Sequence, residues 1–274
     1  MNDDQVEGLI ELAEALNALA CDVIGERQEI GYDDHFGFML LTFLLKQLEH
    51  MKSIIGLSKS GNFKDTAIIA RTMLEGFAYL QWASHRPEVR AYRWRAFGWL
   101  VDFRNIQEQE KLGEKVNPEY KRRVENEIKR HCEILLKPRY LQTEKQNLPA
   151  DPYIQEWTVN DEGEKVSPRN ILTSTDIQLS LSLKNAFEKT SKRIHWQPQD
   201  LSIEWKSNEV IFSCQGKADA LGPCSIAIFT LSAILCLVID KFNLKADEAL
   251  KEFDNRVHEL SIKLVETFPN VWEI

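Results

Sequence analysis

Arg71 and Glu75 are the residues of this chain whose types and spacing most directly suggest chemistry. They stand four apart, so on a helix they share one side. Between Thr66 and Ser84 they are the sole formal charges. At roughly 100° per residue, Ala67, Ala78 and Trp82 fall within about 80° of them, with Ile68, Leu74 and Tyr79 on the flanks. No polar face remains. A helix apolar all round is normally buried, and a charge on it needs a partner. The spacing therefore predicts a paired, mostly buried Arg71–Glu75. Arg71 would hold an anionic or carbonyl oxygen and Glu75 would orient a neighbouring group. The same pair would also serve as a plain packing device.

His195 is the second focus. Glu188, Ser191 and His195 lie at i, i+3 and i+7, so they share a helix face. A helix C-terminus favours a protonated imidazole. Ser191 beside His195 suggests a nucleophile and its base, with His195 as general acid or base. The plainer alternative is a histidine capping the helix end and a serine exposed beside it. If both motifs serve one site, the His195 helix end packs next to the Arg71 helix.

Sharper motifs are absent. The chain has no H-E-x-x-H, no G-x-S-x-G, no Walker loop and no G-x-G-x-x-G, so no metal set and no cofactor is implied. No His follows a Glu at i+3, as the di-metal carboxylate bundles require, and no His follows an Arg by five to seven residues. That last absence removes the signature of the helical HEPN ribonucleases.

The elements that must position these residues read as helices. Val6, Leu9, Ala13, Leu16, Ala20 and Val23 recur at helical spacing over 4–24. A second helix covers 36–58, ends before Gly61-Asn62, and the Arg71 helix follows. Pro87 opens the helix 87–111, which carries Arg90, Arg93, Arg95 and Arg104 among Tyr92, Trp94, Phe97, Trp99 and Phe103. Such arginines either stack nucleotides or cover core edges with their alkyl stems; the second reading is preferred. Asn117-Pro118-Glu119 starts another helix, closed by Pro138. Residues 138–173 carry four prolines and no sustained period, which reads as a long surface excursion, a lid or a partner arm. A helix over 175–195, a small hairpin over 201–213, an apolar helix from Gly222-Pro223 and a last helix over 245–268 complete the chain.

Composition bounds the partners. The chain has 274 residues, 43% hydrophobic and 28% charged, with net charge -8. That argues against non-specific nucleic-acid binding as the main business, so nucleic acid is the less favoured partner. The charge is uneven: 14 basic residues stand against 9 acidic ones from Arg86 to Arg139. Five cysteines without a C-x-x-C pair read as thiols in a reducing compartment. The acidic N-terminus has no signal-peptide character. Pro223–Ile239 is short for a span and reads as a buried core helix, so no membrane association is expected.

The run AIIARTMLEGFAYLQWA, followed by AFEKTSKRIHW, resembles the bacterial domain of unknown function 5677 family. Its pattern is an A-R-x-x-x-E helix and a later aromatic-x-x-x-S-x-x-x-H helix end. Arg71 and Glu75 match the first; Phe187, Ser191 and His195 match the second, with Trp196 where the family usually has Pro or Ser. The resemblance spans about residues 40–240. It implies a mainly helical, cytosolic bacterial protein in which Arg71, Glu75 and His195 act together. The expected fold is all-α, one helical domain over 1–274 with about eight helices and the small hairpin. Three functions compete: a hydrolase or nuclease-type effector using Arg71, Glu75, Ser191 and His195; a sensor binding a small anion; and a non-enzymatic interaction protein that forms a homodimer.

Overall fold

The computed structural model describes residues 3–25, 28–144, 147–149, 151–174, 184–188, 203–206, 209–212 and 221–246, with a few positions from 248 to 256. The helices are α1 (Asp3–Ile24), α2 (His35–Lys59), α3 (Phe63–Ser84), α4 (Pro87–Lys111), α5 (Pro118–Arg130), α6 (Cys132–Leu135), α7 (Pro168–Leu172), α8 (184–188) and α9 (Leu221–Phe242). The first four match the expected spans closely, because each is bounded by a strong local signal. Pro87 takes the first turn of α4, where its missing N–H costs nothing. The Asn117 side chain accepts from the backbone N–H groups of Glu119 and Tyr120 and so caps α5.

Two expectations need correcting. The hairpin expected over 201–213 adds no layer to the fold, whose described residues are predominantly helical. Among the described residues the four-residue segments Ile203–Lys206 and Glu209–Phe212 run antiparallel and pair only with each other, and a two-stranded ribbon contributes no layer. The class is all-α. The helix from Asn117 also does not run unbroken to Pro138. It stops at His131, whose backbone leaves the helical region (φ -102, ψ 13), and restarts as the single turn α6.

The backbone divides into two compact units. The first comprises Met1–Ile30, Leu40–Leu80 and Pro168–Ile274. Here α9 packs on α1, and ten residues of α9 are buried, from Pro223 to Ile239. This helix is long and apolar enough to cross a membrane by length and composition, and its buried share is what a core helix shows. Phe77 of α3 meets Phe229 edge-on at 5.4 Å, and the Ser58 hydroxyl lies 3.6 Å from the Cys224 thiol. Gln47, almost fully buried, donates from Nε2 to the Met73 carbonyl at 2.8 Å. That bond fixes the turn of α3 that carries Arg71 and Glu75.

The second unit comprises Gly31–Met39 and Gln81–Ser167. α4 packs on α5 and α6 around Ala96, Leu100, Ile106, Val124, Ile128 and Leu135. Ile154 and Val159 join this core. The proline-rich stretch after Pro138 is therefore anchored: the backbone N–H groups of Lys137 and Ile154 donate to the carbonyls of Pro152 and Leu135, and Arg104 donates to the Ile154 carbonyl at 3.0 Å. Its apolar residues lie too far apart to show a period, which is why it reads as an excursion in sequence.

Candidate functional sites

Arg71 and Glu75 are paired as their spacing demands. Nε of Arg71 donates to Oε1 of Glu75 at 3.0 Å, with the side chains 17% and 30% exposed. The guanidinium also lies over the Phe187 ring, 4.8 Å from its centroid. The aromatic of the second motif thus meets the arginine of the first, across more than a hundred residues of sequence. Nη1 of Arg71 is buried and has no hydrogen-bond partner among the described residues. Glu188 turns to Arg169, at 2.6 Å. Ser191 and His195 lie outside the described residues.

A second cluster, not singled out by sequence, lines a cavity of about 430 Å³ whose walls all belong to the second unit. That volume is typical of small-molecule sites. Its arginines are Arg95 from α4 and Arg123 and Arg130 from α5, and its other polar walls are Tyr32, Asp33, His35, Tyr92, Glu127 and His131. Arg95 donates from Nη1 to the Tyr32 carbonyl at 2.8 Å and lies 3.3 Å from Nδ1 of His35. Arg130 donates to the Tyr32 hydroxyl at 2.6 Å. The guanidiniums of Arg95 and Arg130 lie over the Tyr32 ring, and that of Arg123 lies over Trp99 at 5.3 Å. None of the three forms an ion pair among the described residues.

Both histidines here are held neutral. Burial lowers the His35 pKa, and the Arg95 charge lowers it further. The His35 ring stacks on Tyr92, centroids 4.6 Å apart. Burial also lowers the His131 pKa, against the opposing pull of Glu127. His131 spans a short relay. Its Nε2 lies 3.1 Å from Oε2 of Glu127, and its Nδ1 lies 2.7 Å from the Tyr92 hydroxyl. In the neutral tautomer Nε2–H donates to the carboxylate and Nδ1 accepts from the phenol. Burial raises the Tyr92 pKa, so the phenol keeps its proton near neutral pH. The arrangement can bind an anion through the guanidiniums and pass a proton along Tyr92, His131 and Glu127.

Part of this was visible in sequence. Of the four arginines interleaved with aromatics on 87–111, three serve the structure. Arg90 stacks on Trp82 at 4.2 Å, Arg93 donates to the Val159 carbonyl, and Arg104 pairs with Asp151. Arg95 alone enters the cavity. Glu127 and His131 carry the i,i+4 spacing that brings a carboxylate to an imidazole, a signal the search for Glu-x-x-His passed over. Among the described residues no group of three or more His, Cys, Asp or Glu is placed to hold a metal ion.

The model of the family of unknown function DUF5677 matches residues 37–209. That span takes in both motifs and most of the cavity wall, with Tyr32, Asp33 and His35 just ahead of it. No curated protein and no solved structure matches the chain. The chain belongs to the DUF5677 family of unknown function.

Proposed function

We propose that the protein binds a small anion, and that the cavity of the second unit is the binding site. One observation carries this reading: Arg95, Arg123 and Arg130 share one cavity without an ion-pair partner among the described residues, whereas Arg86 and Arg104 of the same unit meet Asp161 and Asp151. Like charges gathered at a half-enclosed site repel, and a bound anion removes that repulsion. Guanidiniums also match the geometry of phosphate and carboxylate oxygens. A cytosolic setting fits the four described cysteines, all free thiols.

A hydrolytic activity is the second reading. The Tyr92–His131–Glu127 relay favours it, because a proton taken up at the Tyr92 oxygen beside the guanidiniums can be passed through His131 to the Glu127 carboxylate. A hydrolytic site at Arg71, Glu75, Ser191 and His195 draws its support from Nη1 of Arg71, which has no hydrogen-bond partner among the described residues, and from the Phe187 contact.

The test is thermal stability in sulfate against chloride at matched ionic strength. A ligand of the native state at 100 times its Kd stabilises by about 2.7 kcal/mol. Sulfate should raise the Tm of the wild type clearly more than that of Arg95→Gln/Arg130→Gln, whose remaining rise is the general exclusion effect of sulfate. Equal shifts in both would refute the assignment.

A further inference from the structure

We infer that the anion taken by this cavity is the phosphate of a nucleoside monophosphate, a small phosphate ester that carries a planar base. The inference rests on the anion-binding reading above. Size is the first argument. A cavity of about 430 Å³ lies in the range of sites for whole small molecules, roughly 300–1,000 Å³, and a bare tetrahedral anion would leave most of it unfilled. The wall is the second. Beside the guanidiniums stand Trp99 and the stacked His35–Tyr92 pair, flat surfaces that suit a base.

Asp33 is the third argument. Its carboxylate lines the same cavity without an ion pair among the described residues. A site for a bare, multiply charged anion gains nothing from a second carboxylate. A ligand with hydroxyl or amine donors at its other end does, because each donor removed from water needs an acceptor. Ribose hydroxyls and the exocyclic amine of a base are such donors. Phosphate on the arginines, sugar or amine on Asp33 and base on the aromatic wall use each chemical class of the lining once.

The experiment is calorimetric titration of the full chain at neutral pH with inorganic phosphate, ribose 5-phosphate, AMP and GMP. AMP or GMP should bind about tenfold more tightly than ribose 5-phosphate, the increment of one stacked base. Ribose 5-phosphate should bind more tightly than inorganic phosphate. Trp99→Leu should bring the affinity for AMP and GMP down to that for ribose 5-phosphate measured on the same variant. Asp33→Asn should shrink the preference for ribose 5-phosphate over inorganic phosphate, both measured on the variant. The comparison of the four ligands on the wild type needs no variant to fold. Equal affinity for inorganic phosphate, ribose 5-phosphate and both nucleotides overturns the nucleotide inference and leaves anion binding intact. Absence of binding by all four overturns both.

Discussion

The Tyr92 hydroxyl stands 2.7 Å from Nδ1 of His131, and this bond ties α4 to the point where α5 breaks. Tyr92→Phe leaves Nδ1 of a mostly buried imidazole without its donor. The expected cost is about 1–3 kcal/mol, read from urea denaturation. Because the two side chains form one network, Tyr92→Phe and His131→Leu together should cost clearly less than the sum of the single variants. Strict additivity would show that the two are not coupled.

Stability should depend on pH through His35 and His131. Burial holds each folded pKa below the ordinary histidine value of 6.5. Below 6.5 the unfolded chain therefore binds more protons than the folded one, so stability rises with pH there. The contribution is fully present above 6.5 and is lost as pH falls from 6.5 through the lower folded values. Denaturation at pH 7.5, 6.5 and 5.5 should show this loss, and His35→Gln/His131→Gln should show less of it. A bound anion favours the protonated imidazoles, so sulfate should reduce the loss on acidification. A double variant with the same pH slope as the wild type would contradict the assignment.

The legible part of the fold was local. Pro87, Asn117 and Gly61-Asn62 mark helix boundaries by local chemistry alone, and the end of α2 and the starts of α3, α4 and α5 follow them. The pairing of Arg71 with Glu75 was legible for the same reason, since four residues of helix bring them together. The cavity was not. Tyr32, Tyr92 and His131 meet only through tertiary packing, and single-sequence spacing carries no record of that. The break at His131 was hidden too, because Ile128, Cys132 and Leu135 continue a helical period across it. Ser191 and His195, central to the sequence reading, lie outside the described residues.

Gly76 tests the seat of the Arg71 helix. A Cβ there would meet Nε2 of Gln47 at 2.9 Å, the atom that donates to the Met73 carbonyl. Gly76→Ala should therefore destabilise by about 1–2 kcal/mol, although Ala is favoured over Gly in a helix by about 1 kcal/mol. Gly56 of α2 has open space around its Cβ position. Gly56→Ala should stabilise by about 0.5–1 kcal/mol. Equal effects in thermal or urea unfolding would refute the packing argument.

Arg71→Ala removes a guanidinium that is paired with Glu75, stacked on Phe187 and 17% exposed. The loss should lie between an exposed pair and a sealed one, about 1–3 kcal/mol. Glu75→Gln keeps a hydrogen-bond acceptor for Nε and should cost less, about 1 kcal/mol. A larger loss in Glu75→Gln than in Arg71→Ala, measured by chemical denaturation, would reverse this ordering and show that Arg71 depends on the Glu75 charge and not on Phe187.

The most direct test of anion binding is a crystal structure of the protein grown with tungstate, an anion whose metal gives an anomalous signal. The account predicts an anomalous peak in the cavity of the second unit, with tungstate oxygens within hydrogen-bond distance of at least two guanidiniums among Arg95, Arg123 and Arg130. Tungstate peaks elsewhere on the protein, with none beside these three arginines, would contradict it.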